Sequence, residues 1–272
     1  MGFPEIREAD APPEIADLYS RLREAFGIPL VNLIWRHAAT MPGVLTWLVE
    51  AAAGVVASQV LSRARLALLT VPPIEHLPTF ADAACELPLE ERARLRTLVE
   101  VYNRGNTTNL LLLTALRRAI SGEAIIGGGL SLPAAPVRAP QLPSLPALPS
   151  LESLPVEMAR IVRGLAAHHE GIADAIPSLY LHLMAWPDLL APLSRDLTSL
   201  FDDGQLVAIR DRLIRYAEET APLLLPAMTP PGSFPAEYRE ETLSALQAFA
   251  GGLIAEMTVI GTWMAAALDQ TR

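Results

Sequence analysis

One cysteine, Cys85, stands among 272 residues. A lone thiol excludes an intrachain disulfide and a structural zinc site built on several cysteines. Charged residues are sparse, 19% of the chain, and no dense Lys/Arg run occurs. With a formal net charge of −9, the chain lacks the clustered basic face that would neutralise a phosphate backbone, so no nucleic-acid partner is expected. Met1 to Arg7 show no basic start followed by an apolar run, so no signal peptide is expected. Gly2 opens no myristoylation motif, because the sixth residue is Ile6 rather than Ser or Thr. HExxH, GxSxG and a Gly-rich phosphate loop are missing. Period-two alternation is nearly absent, which argues against a sheet.

What is present is apolar and helical. Half of the residues (51%) are hydrophobic, enough for a large core in one large domain or two ordinary ones. Apolar spacings of three and four are pervasive. Pro12-Pro13-Glu14 opens a helix through Leu18, Leu22 and Phe26, and Gly27 ends it. Pro42 suits the first turn of a helix carrying Leu45, Leu48, Val55, Val56 and Val60. Leu87 to Glu91 starts another, with acidic residues favourably placed at its N-terminus. Asn103-Arg104-Gly105-Asn106 reads as a turn or helix break before an apolar helix from Leu110 to Ile120. Leu243 to Leu268 is apolar enough to suggest a membrane span, but Gln247 and Glu256 interrupt it. A carboxylate at mid-span is costly in lipid, so a buried bundle helix is expected, with no membrane partner and a cytoplasmic location.

The two halves share a register. Ile34 to Leu45 recurs as Leu179 to Leu190, with His37 and His182, and Pro42 and Pro187, each 145 residues apart. Glu14-Ile15-Ala16 recurs as Glu157-Met158-Ala159, Gly27-Ile28 as Gly171-Ile172, and Asn109 to Leu116 as Glu256 to Trp263. The pattern predicts an all-α chain of two tandem helical repeats forming a pseudo-twofold pseudo-dimer, residues 1–122 and 155–272. Residues 123–154 form a Gly/Pro-rich linker, in which Pro140, Pro143, Pro146 and Pro149 repeat every third residue. That period is the pitch of polyproline II. Leu142, Leu145, Leu148 and Leu151 share it, which predicts a stiff connection lying leucine-side down on the body of the protein.

Few residues carry obvious chemistry. His168-His169 are adjacent, point in different directions and suit a solvated helix end. His37 and His182 lack the further ligands a metal site requires, so no metal is expected. Asn103, Asn106 and Asn109 are either turn and cap residues or amide donors aimed at a carboxylate or carbonyl, and spacing favours the first. Glu256, within a very apolar helix, is a paired buried acid or a functional group of raised pKa. Asp174, near the start of a helix, suits a cap.

Ile28 to Leu45, Tyr102-Asn103-Arg104-Gly105-Asn106 through Leu116, Pro177 to Pro187 and Ile254 to Thr258 together resemble the group I 2-haloacid dehalogenases, which act on D and L substrates. The resemblance spans nearly the whole chain. It implies a duplicated all-α fold with its pocket between the repeats, and no cofactor. It implies a reaction in which an aspartate activates water to displace halide with inversion. The family's aspartate follows a serine, seven residues before the Trp of a Trp-Pro pair. Here that serine is Ser178, the pair is Trp186-Pro187, and Leu179 stands in the aspartate's place. Asn106 retains the family's supporting asparagine. Its aromatic pocket positions fall on Leu30 and Leu33, and a tyrosine position on Ala250. The resemblance therefore implies a pocket of Leu30, Leu33, Asn106, Ser178, Leu179 and Ala250. It also implies dehalogenase activity that is weak, altered or lost, with Glu256 and Asp174 as the acids that would have to substitute. The alternative is a non-catalytic protein that binds a small apolar molecule between the repeats. The expected partner is a small-molecule ligand such as a small carboxylic acid, and a homodimer is compatible with the sequence.

Overall fold

A single 32-residue helix runs straight through the segment expected to break. In the computed structural model, which describes residues 4–70, 77–123, 138–169 and 175–270, Leu89–Ile120 is continuous. Asn103 to Asn109 sit at its middle, and Gly105 is helical, so the expected turn is absent. The reason is tertiary packing. Intrinsic propensity costs such a stretch about 1 kcal/mol or less per residue, while every residue from Gly105 to Leu116 is buried. The local signal of Asn-Arg-Gly-Asn describes a turn only where that stretch is solvated.

The chain enters through α1 (Pro13–Phe26), which Gly27 terminates in the left-handed conformation at φ 66°. α2 (Leu33–Ala38) is short, and Gly43 turns the chain into α3 (Val44–Val56). Val60, expected on the same helix, belongs instead to α4 (Gln59–Thr70), bent 85° away from α3. α5 (Pro78–Cys85) starts on a carboxylate borrowed from far along the chain: Asp196 accepts a hydrogen bond from the Phe80 amide at 2.9 Å. A carboxylate at a helix N-terminus satisfies orphan donors and complements the helix dipole. α6 is the central Leu89–Ile120 helix.

Beyond it come α7 (Val156–Ala166), α8 (Ser178–His182), α9 (Leu190–Asp202) and α10 (Gln205–Leu224). Pro222 lies inside α10 and has no amide to give the Glu218 carbonyl one turn earlier. Arg118 of α6 donates to that freed oxygen at 2.6 Å, and Arg117 pairs with the Glu218 carboxylate, locking the end of α6 to α10. α11 (Arg239–Ala248) runs through a π-helical stretch, Phe249–Leu253, into α12 (Ile254–Gln270). The run from Ala236 to Asp269 is long and apolar enough to cross a membrane, yet most of its apolar window is buried inside this fold. α6 packs against α12, α10, α4, α11 and α3, which explains why Leu110 to Leu116 are buried all round.

The described residues are helical or irregular, with no strand among them, as the spacing predicts. Buried side chains from before and after residues 138–154 join one continuous apolar core. The described part of the Pro-rich segment does lie along that body. Leu142, Leu145 and Leu151 pack against the core, whereas Leu148 is 41% exposed. The triple glycine at 127–129 is outside the described residues.

Candidate functional site

The middle of α6 carries a band of buried polar side chains: Tyr102, Asn103, Asn106, Thr107, Thr108 and Asn109. Buried polar groups on a core helix are costly unless partnered, so the band shows where packing alone does not explain the sequence. Four segments converge on it. Asn103 donates to the Gly261 carbonyl of α12 at 3.0 Å. Asn109 accepts from the Trp35 indole of α2 at 2.8 Å. Gly105 lies against Ile28 and Asn32, so close that an added Cβ would meet Ile28 Cδ1 at 3.2 Å. Tyr102 donates its hydroxyl to His182 Nδ1 of α8 at 2.6 Å.

These contacts locate the residues singled out in the sequence. Ser178 and Leu179 open α8. The Ser178 hydroxyl faces the Tyr102 phenol, whose pKa burial pushes well up, so the phenol stays a donor. Leu179 is completely buried in the core and supplies no proton acceptor. Asn106 is buried and its Nδ2 has no hydrogen-bond partner. Leu30 and Leu33 are half-buried at the core's edge, flanking the Asn32 that reaches Gly105. Ala250 lies in the π-helical stretch that packs on α6. A single π-type turn inside a helix is frequent at functional sites. Asp174 lies outside the described residues.

Glu256 is a paired buried acid. It is 1% exposed, with Oε1 accepting from Arg210 at 2.9 Å and Oε2 accepting from His169 Nδ1 at 2.7 Å. His169 Nε2 lies 2.8 Å from the Tyr180 hydroxyl. The carboxylate fixes a proton on Nδ1, and Nε2 faces the Tyr180 hydroxyl. Burial, aided by the Glu256 charge, raises the Tyr180 pKa and keeps that phenol protonated. The solvated helix end expected for His168-His169 is therefore corrected. The His169 side chain is 4% exposed and hydrogen-bonded to Glu256, and His168 stacks on Phe201 at 4.8 Å. Both rings lie just beyond α7, where the chain turns inward. A period of 3.6 cannot reveal this, and nothing local in the sequence marks His169 as Glu256's partner.

His182 sits in a second polar chain, its Nε2 donating to the Pro146 carbonyl at 3.1 Å. Burial lowers its pKa, so this ring is neutral at neutral pH. His37 donates to the Pro4 carbonyl at 2.9 Å. Among the described residues, no three His, Cys, Asp or Glu side chains come together in a way that could hold a metal ion.

No family model matches the chain, and no curated protein matches it. Solved structures do. A D-2-haloacid dehalogenase mutant in complex with D-2-CPA superposes with a TM-score of 0.81 at 15% identity, covering 99% of this chain and 96% of the other. A second D-2-haloacid dehalogenase mutant gives 0.82 at 16% identity, covering 98% and 96%. The same kind of enzyme with L-LA gives 0.81 at 15% identity, covering 99% and 96%. At such identities the likeness is one of fold, and function has to be argued from the site. Over its described residues the chain has a 2-haloacid dehalogenase-like, all-helical fold.

Proposed function

We propose that this protein is a divergent group I 2-haloacid dehalogenase-like protein that holds a small carboxylic acid at the middle of α6 but has lost most or all hydrolytic halide displacement. The observation that carries this reading is Leu179: a fully buried hydrocarbon at the position to which the resemblance assigns the water-activating aspartate. Loss of a general base removes roughly 10²–10⁴-fold of rate. Glu256 does not replace it, because both carboxylate oxygens are already engaged by Arg210 and His169. Asn106 is the residue to orient a bound carboxylate or carbonyl, since its buried amide nitrogen still has a donor to give. The same donor, with Leu179 and Ala250 as apolar neighbours in sequence pattern, also supports the alternative of a non-catalytic binder of a small apolar molecule with one polar group.

The tandem-repeat reading belongs to this proposal. The 145-residue register supports it, as do the short helices α2 and α8, each carrying its histidine near its end. Three further expectations extend it: no cofactor, a cytoplasmic setting without nucleic-acid or membrane partners, and compatibility with a homodimer.

The test is halide release from racemic 2-chloropropionate by the wild type and by Leu179→Asp. A silent wild type and an active variant support the reading. Comparable activity in both places the base elsewhere and overturns it.

A further inference from the structure

We propose that a second site, on the opposite side of α6 from Asn106, binds a short-chain carboxylate anion between Arg65 and Thr108 beneath the Pro-rich strap. The inference does not depend on the dehalogenase-like reading. It rests on a partly open cavity of about 140 Å³ between the end of α1, α4, the middle of α6 and residues 138–140.

Two polar groups in its wall lack partners. Thr108 is 1% exposed and its hydroxyl has no hydrogen bond. Four other buried helical threonines behave differently: Thr107, Thr114, Thr258 and Thr262 each donate to the carbonyl four residues earlier. Thr108 forgoes that local bond, the ordinary resting place of a helical hydroxyl, and keeps its donor free on the cavity side. Arg65 Nε is likewise buried without a partner. Desolvation, reinforced by the Arg104 charge, pushes the Arg65 pKa down to about 10, and no carboxylate offsets it. At neutral pH it remains a cation. A half-buried guanidinium without a counter-ion is unfavourable, and a planar carboxylate is the anion its fork matches.

The remaining walls select the rest of the ligand. Phe26, Val56 and Leu61 are apolar, which suits a short alkyl chain and disfavours a fully hydrated dianion. Arg104 is a staple rather than a ligand. Its guanidinium donates to the carbonyls of Gly27 and Pro140 and pairs with Glu100 at 3.0 Å. The Leu142 amide donates to the Gly27 carbonyl at 2.9 Å. Gly27 must be glycine here, both for its φ of 66° and because a Cβ would meet the Pro140 carbonyl at 2.6 Å. The strap is thereby held over the cavity by α6 and the end of α1.

The experiment is a thermal-shift and calorimetric titration of the full chain with propionate and butyrate, against chloride and sulfate at matched ionic strength. Wild type is expected to gain thermal stability with the carboxylates and to show a weaker response to the inorganic anions. Arg65→Gln should weaken carboxylate binding by about tenfold or more, as loss of a charge-assisted pair does. The near-isosteric Thr108→Val keeps the test decisive if Arg65→Gln folds poorly, and should weaken binding severalfold. Asn106→Ala removes the donor of the other pocket, and the part of the response that depends on Arg65 and Thr108 should persist in it. The proposal is overturned if neither carboxylate binds, if both cavity variants bind as wild type does, if sulfate or chloride matches the carboxylates, or if Asn106→Ala alone abolishes the response.

Discussion

Asn103 donates its side-chain amide to the backbone carbonyl of Gly261, and its own oxygen occupies the place where a Cβ on residue 261 would stand. α6 and α12 therefore meet through one residue that must be small and one that must be polar. Gly261→Ala is expected to cost about 1–3 kcal/mol, because the clash is with a buried amide rather than a flexible chain end. Urea unfolding reads this directly. Combining it with Asn103→Ala should cost less than the two single changes added together, since the smaller side chain removes the clash. Strict additivity would show that the close approach does not limit the packing of these helices.

The buried Glu256 is held by the Arg210 guanidinium and by the His169 ring. Arg210→Met removes the cation and leaves the carboxylate 1% exposed with only His169 beside it. Breaking a buried pair on one side typically costs about 3–5 kcal/mol, whereas replacing both partners can be nearly neutral. Arg210→Met should accordingly be much less stable than the double variant Arg210→Met/Glu256→Gln, measured by denaturant midpoint. Equal stabilities would mean that Glu256 does not depend on Arg210 for its charge.

Leu179→Asp tests the scaffold as well as the chemistry. The leucine is completely buried, so the substitution exchanges core packing for a carboxylate. A loss of about 2–5 kcal/mol is expected from packing alone, and activity should be assayed well below the variant's melting temperature. Halide release by a folded Leu179→Asp would place residue 179 within reach of bound substrate. A folded but inactive variant would show that the surrounding pocket has also diverged, and ligand binding would then be the property to pursue.

How much of this was legible in the sequence differs between fold and site. The helical class was readable because apolar spacing is a local signal, and Gly27 ends α1 as its conformational freedom predicts. The Asn-Arg-Gly-Asn segment misled for a physical reason: the same residues that make a turn in water make a helix when Ile28, Asn32 and Gly261 close on them. Glu256 was open between a paired acid and a functional one, because its partners Arg210 and His169 lie 46 and 87 residues away. Arg65 and Thr108 carried no signal at all. Each is an ordinary helical residue until the strap at 138–140 closes over it.

His182 makes the stability of the fold depend on pH in a direction that can be worked out. Its ring is buried between the Tyr102 hydroxyl and the Pro146 carbonyl, and burial lowers its pKa from the ordinary 6.5, with the bond to Pro146 opposing only in part. In the unfolded chain the ring takes up a proton as the pH falls through about 6.5; in the folded chain it does so only at lower pH. Between those two values the unfolded state binds more protons, so acid favours unfolding. The stability this neutral ring permits is full above about pH 6.5 and should fall by up to about 1.4 kcal/mol per pH unit below it. His182→Asn cannot titrate there. Denaturant unfolding from pH 7.5 to 5.0 should therefore show the wild type losing stability more steeply than the variant, whatever the other histidines contribute to both. Parallel profiles would show that His182 is not held neutral by the fold. A steeper loss in the variant would reverse the sign and mean that the folded state prefers the charged ring.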